Sequence, residues 1–191
     1  FDIQQTVKTF NTVKKMAPIA ERATGNFSTV FTMNGQLNKK MEPELSTLTG
    51  GGKLSTANVT IANFAPLQKV ADVLKMEQFR QLNVSNVNLS FTFSNGRVNI
   101  NPYDVTLAGI PTNVSGSTGF DQSIDYTLGM NIPTGKLPSQ ATGAINGLIS
   151  KANASGANFS MSENVKMNLK MGGTVSNPTI STDLKETSGK M

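Results

Sequence analysis

The chain of 191 residues has no cysteine, no histidine and no tryptophan, and only 15% of it is charged and 6% aromatic. Without a thiol or an imidazole there is no Ser-His-Asp triad and no cysteine nucleophile. Nor is there a thiolate or imidazole ligand for zinc, haem or an iron–sulfur cluster. Disulfides are excluded, so a hydrophobic core has to hold the fold. Absence of cysteine suits an oxidising compartment such as a periplasm. The sequence has no apolar run of the roughly 18 residues that a membrane-spanning helix needs, and no signal peptide. It begins with Phe1 rather than Met, so it is read as processed or cut from a longer protein, with any membrane anchor expected outside it.

What the chain does have is polar and uncharged. Ser, Thr and Asn make up roughly a third of it, while apolar residues reach only 37%, against about 45–50% in an ordinary globular chain. That composition favours strands, turns and polar sheet faces over surface helices. The formal charge is +5, but the basic residues are scattered, with adjacent pairs at Lys14-Lys15 and Lys39-Lys40. No arginine-rich or aromatic-interleaved basic stretch occurs, so nucleic acid is not an expected partner. An anionic membrane surface is compatible with the charge, as is an ordinary solvated surface.

Apolar spacing predicts an amphipathic helix over Ile3 to Ala20, ended by Pro18 and Ala23-Thr24-Gly25. From Phe27 the period changes to two. Asn34-Gly35 predicts a turn into a return strand at Gln36-Leu37-Asn38, and Gly50-Gly51-Gly52 predicts a loose connection before a strand through Leu54, Ala57, Val59 and Ile61. Pro66 opens a second helix, packed through Leu67, Val70, Leu74 and Phe79. Val87, Leu89, Phe91 and Phe93 alternate with polar residues, turn at Asn95-Gly96 and return through Val98 and Ile100, a strong hairpin signal. Further strands are predicted at Tyr103 to Ala108, Asn113 to Gly119 and Ile124 to Met130. A third helix is capped at Ser139 and runs to about Ala152, with Gly143 and Gly147 as small residues permitting close packing. Val165, Met167, Leu169 and Met171 form the last strand, and the tail from Lys185 is expected to fray. The predicted fold is mainly β with short helices, an α+β meander: a curved antiparallel sheet with helices packed across its apolar face.

Catalytic constellations are weak. Asp121 with Asp125, and Glu42 with Glu44, stand beside turns without a partnering aromatic cluster, so the structural reading outweighs acid–base or two-metal chemistry. Gly50-Gly51-Gly52-Lys53 lacks the pattern of a phosphate loop. No enzyme activity, cofactor or metal is expected. The remaining feature is a row of apolar strand residues: Phe27, Phe31, Met33, Val87, Leu89, Phe91, Phe93, Val98, Ile100, Tyr126, Leu128 and Met130. These line either a closed core or a groove for acyl chains, and periodicity alone does not choose between the two.

One stretch carries more than periodicity. Gly50, Gly52 and Leu54 form a Gly-x-Gly-x-Leu strand, Asn63-Phe64 leads into the helix at Pro66, Phe79-Arg80-Gln81-Leu82 forms a Phe-x-x-Leu link, and Phe91-Thr92-Phe93-Ser94-Asn95-Gly96 forms a Phe-x-Phe-x-x-Gly hairpin. Gly173-Thr174 and Pro178 close with a Gly-Thr-x-x-x-Pro strand motif. In order and spacing this resembles the C-terminal region of AsmA-like proteins of diderm bacteria, over roughly residues 24–184. The resemblance implies one AsmA-like domain, or a fragment of a longer envelope protein, over 1–191, with a helical lead-in at 1–23, a β-rich body at 24–184 and a tail at 185–191. It implies a periplasmic domain of an inner-membrane-anchored protein, linked to outer-membrane biogenesis, with phospholipid and envelope proteins as partners. It supplies no catalytic residues. The competing reading is a β-rich protein-interaction or adhesin-like module.

Overall fold

A computed structural model describes residues 1–159 and 163–184; the predicted tail at 185–191 lies outside them. Eight strands form one antiparallel sheet in chain order: β1 (Ala23–Asn34), β2 (Thr49–Ala62), β3 (Gln81–Ser94), β4 (Arg97–Leu107), β5 (Ile110–Gly119), β6 (Ile124–Pro133), β7 (Asn164–Gly173) and β8 (Pro178–Leu184). The sheet is curved and open rather than a barrel. The helices are α1 (Ile3–Thr9), α2 (Asn11–Met16), α3 (Ala65–Leu74) and α4 (Ser139–Ala154), with short 3-10 turns between elements.

The alternation places the side chains. Register puts Phe31 opposite Gly52 and Gly52 opposite Phe91, Phe91 opposite Ile100, and Leu128 opposite Val114 and Leu169, so the apolar positions of successive strands share one face. Two irregularities keep that face continuous. β2 gains a residue over β1 between the Gly25–Val59 and Phe27–Thr56 pairs, matched on β3 by Asn86 with φ 54°, and β4 gains one between Ile100 and Tyr103, each where strict alternation would have turned the apolar set outward. The opposite face is polar, with Thr60 donating to Asn83 and Ser85 to Asn58, both at 2.8 Å.

All helices pack on the apolar face. Leu67, Val70 and Leu74 of α3 and Ala141, Ile145 and Ile149 of α4 close the main core over β3 to β7. The chain leaves α3 through Lys75 in the left-handed region, and a 3-10 turn (Glu77–Phe79) delivers Phe79 into that core with no exposed surface. Arg80 fastens this turn back to α3, donating to Asp72 at 2.7 Å and Gln68 at 2.9 Å.

Five expectations are corrected. The single N-terminal helix is three pieces, α1, α2 and a 3-10 turn (Pro18–Arg22), broken at Phe10, whose ψ of 96° is extended. The hydroxyls of Thr6 and Thr9 bond back to the carbonyls of Asp2 and Gln5, local bonds that weaken a longer helix. Asn34-Gly35 is no hairpin: β1 ends there, and β2 begins at Thr49 after a loop in which Leu37 bridges Pro43. Ser139 starts α4 without capping it, the N-cap position being Pro138. Gly143 and Gly147 face open space rather than a close neighbour. The strand through Met171 is also followed by one more, β8.

Candidate functional site

The tri-glycine stretch, read from sequence as a loop, lies within a strand, at the start of β2 and paired on both sides. Gly50 lies between Met33 and Phe93, and Gly52 between Phe31 and Phe91, all on the apolar face. A Cβ on Gly52 would collide with the backbone carbonyl of Val30 and with Cβ of Phe31, and Gly50 has a φ of 131° that L side chains rarely adopt. Glycine in a strand thus marks close approach of a neighbour here. Gly50 and Gly52 carry no side chain, so bare backbone of β2 separates the apolar side chains of β1 from those of β3 there.

The cover over the apolar face is uneven. At one end of β1 and β2, Ile3 and Val7 of α1 pack on Ala23, Val59 and Phe27. At the other, Met16 of α2 with Leu45 and Leu48 packs on Phe93 and Val98, joined by Phe91 and Ile100. Between these covers Leu54 and Leu89, opposite each other in register, are half-buried and belong to no buried cluster. Beside them Phe31 is 49% and Met33 40% exposed. The uncovered strip therefore consists of Phe31 and Met33, Gly50, Gly52 and Leu54, and Leu89. It spans three strands, about 10 Å at ordinary strand spacing.

The row of apolar residues named from sequence thus divides. Phe93, Val98, Leu128 and Met130 are buried core. Val87 and Tyr126 pack against the main core, Phe27 lies under α1, and Phe91 and Ile100 flank the Leu48 cluster. Phe31, Met33 and Leu89 remain at the open strip. Leu54, Gly50 and Gly52 complete that strip and were missed as site residues. Their signal was the glycine run facing two phenylalanines, which is visible only once β1 and β3 are paired on either side of it.

Polar chemistry at this face is slight. Tyr103 and Tyr126 both point into the main core; burial pushes the Tyr103 phenol up to about 12 and raises that of Tyr126, whose hydroxyl meets Thr118 at 2.8 Å. Two of the four carboxylates considered for catalysis serve turns, while Asp125 lies within β6: Asp121 accepts from the hydroxyl and the backbone N–H of Ser123, at 2.7 and 3.0 Å, which lowers its pKa. Glu42 accepts from Asn38 at 3.1 Å. A separate, polar cavity of about 460 Å³ opens where β3 and β4 part, lined by Ser85, Asn86, Asp104, Thr106, Asn113 and Asn131. The strands diverge because β3 pairs with β4 only as far as Ile100, and Pro102 just beyond has no N–H for a ladder. This cavity is not the apolar strip and shares no residue with it.

Comparison with family models, with curated proteins and with solved structures finds no match to this chain.

Proposed function

We propose that the chain is an AsmA-like, non-enzymatic domain of a diderm cell envelope. In this reading it works in the periplasm as part of an inner-membrane-anchored protein, and serves outer-membrane biogenesis by holding phospholipid acyl chains against the uncovered strip. The observation that carries the reading is the strip itself. Phe31, Met33, Leu54 and Leu89 present apolar surface between two helix-covered regions, and contiguous exposed apolar surface of this kind marks an interaction site. Glycine backbone between phenylalanine side chains adds no charged group to the strip, which suits a hydrocarbon chain and offers nothing to a charged substrate.

Native mass spectrometry of protein purified from cells, followed by lipid extraction, tests this. Bound phospholipid is expected, and is expected to be lost on Leu54→Asn with Leu89→Asn while the thermal midpoint stays within a few degrees of the parent. Absence of bound lipid, together with failure to take up labelled phospholipid, contradicts the reading.

A second reading, a β-rich interaction module, is supported by a different observation: among the described residues, no strand lies along the outer edge of β1.

A further inference from the structure

Two edges close the sheet, and they differ. β8 begins at Pro178 and is backed by α3 and α4. β1 runs through Ala23–Asn34 with no charged residue and no proline, the features by which proteins ordinarily blunt an exposed edge. Its apolar residues stand open on both faces: Val30 is 82% exposed on the polar side, Phe31 and Met33 on the other.

The direction of its free hydrogen-bonding groups follows from Phe27. The nitrogen of Phe1 donates to the Phe27 carbonyl at 2.8 Å, and the Phe27 N–H donates back to the Phe1 carbonyl at 2.9 Å. Phe27 therefore faces away from β2. Pairing with β2 is regular from Phe27 to Asn34, so Thr29, Phe31 and Met33 also turn their N–H and C=O groups outward. The edge already accepts an extended antiparallel segment at Asn26–Phe27. Among the described residues, no segment pairs with it from Ser28 to Asn34, where β1 ends.

We propose that this stretch pairs with its counterpart in a second copy of the chain, about a two-fold axis at Phe31. The stretch is self-complementary. Its centre, Phe31, is an outward-facing residue, so the two Phe31 residues exchange both hydrogen bonds, and Thr29 falls opposite Met33 of the second copy. Val30 falls opposite Thr32 in the intervening close pair. The second copy's strand ends where the Phe1–Phe27 pair begins, so the new pairing continues the existing one without overlap. It would join the two sheets and set their apolar strips side by side. A seven-residue strand pair is smaller than a standard interface, so the association is weak and depends on concentration. It stands independently of lipid uptake.

Sedimentation velocity over a concentration series tests it. The parent chain is expected to shift from monomer to dimer. Phe31→Pro removes an N–H that β2 does not use and is expected to raise the dissociation constant about tenfold or more. Because that change also removes a ring, the pair Val30→Lys with Thr32→Lys provides a second test. It alters only solvent-facing side chains and sets like charges directly opposite across the axis, again weakening association about tenfold. Mixing it with Val30→Glu plus Thr32→Glu is expected to restore a mixed dimer. A parent chain that stays monomeric at its highest soluble concentration overturns the proposal, as does a dimer that none of these changes affects. A monomer whose amides at Thr29, Phe31 and Met33 become protected only when an extended peptide is added would assign the edge to a foreign strand and also overturn self-pairing.

Discussion

The two halves of this sheet are built from the same alternation and end in different states. Over β4 to β7 the apolar face is sealed: Leu74, Phe79, Ile132, Ile145 and Leu169 lie with essentially no exposed surface beneath α3 and α4. Over β1 to β3 it is covered at both ends and open between. Every large apolar side chain that stands well exposed among the described residues falls within residues 1–41. The difference is not one of strand composition, since Phe31 and Phe91 are as apolar as Leu128 and Leu169. It comes from what the intervening segments supply. A ten-residue α3 and a sixteen-residue α4 lie over one half, whereas α1 and α2 have seven and six residues and reach only the margins of the other.

The largest expected effect separates the halves directly. Phe79→Ala opens a cavity in the sealed core and is expected to cost about 3–5 kcal/mol in denaturant unfolding. Phe31→Ser in the open half is expected to change stability by no more than about 0.5 kcal/mol. Equal costs would erase the distinction. Next is alkaline unfolding, through Tyr103 in the sealed half. Its pKa is raised from 10.0 to about 12 by burial, so the folded state favours the neutral phenol. The associated stability is complete below about pH 10 and lost as pH rises toward 12, about 3 kcal/mol in all. Tyr103→Phe is expected to flatten that slope, leaving the smaller contribution of Tyr126. Smallest is a gain. Gly143→Ala and Gly147→Ala meet open space on α4 and are each expected to stabilise by up to about 1 kcal/mol. Destabilisation would mean that these glycines face a neighbour after all.

Much of the sealed half was legible in the sequence. Val165, Met167, Leu169 and Met171 alternate and are all buried, and Asn95-Gly96 turns with φ of 52° and 69°, the positive pair its type requires. The open half was misread at its centre, because glycine has two uses. In a turn it supplies positive φ; in a strand it admits a neighbour's backbone and ring. Gly50-Gly51-Gly52 is the second case, and only the partners on β1 and β3 reveal it. Asn34-Gly35 misled in the same way, since local turn chemistry yielded to a longer loop whose Leu45 and Leu48 were needed over Phe93 and Val98. The alternation identified which residues share a face but contained no information on which part of that face the helices would reach.

Methyl NMR with a phospholipid carrying a nitroxide on its acyl chain tests the division between the halves, and the role assigned to the open one, most directly. The methyl resonances of Met33, Leu54 and Leu89 are expected to broaden, while those of Leu128, Met167 and Leu169 stay sharp. No broadening at the open strip, or equal broadening across both halves, would contradict the account.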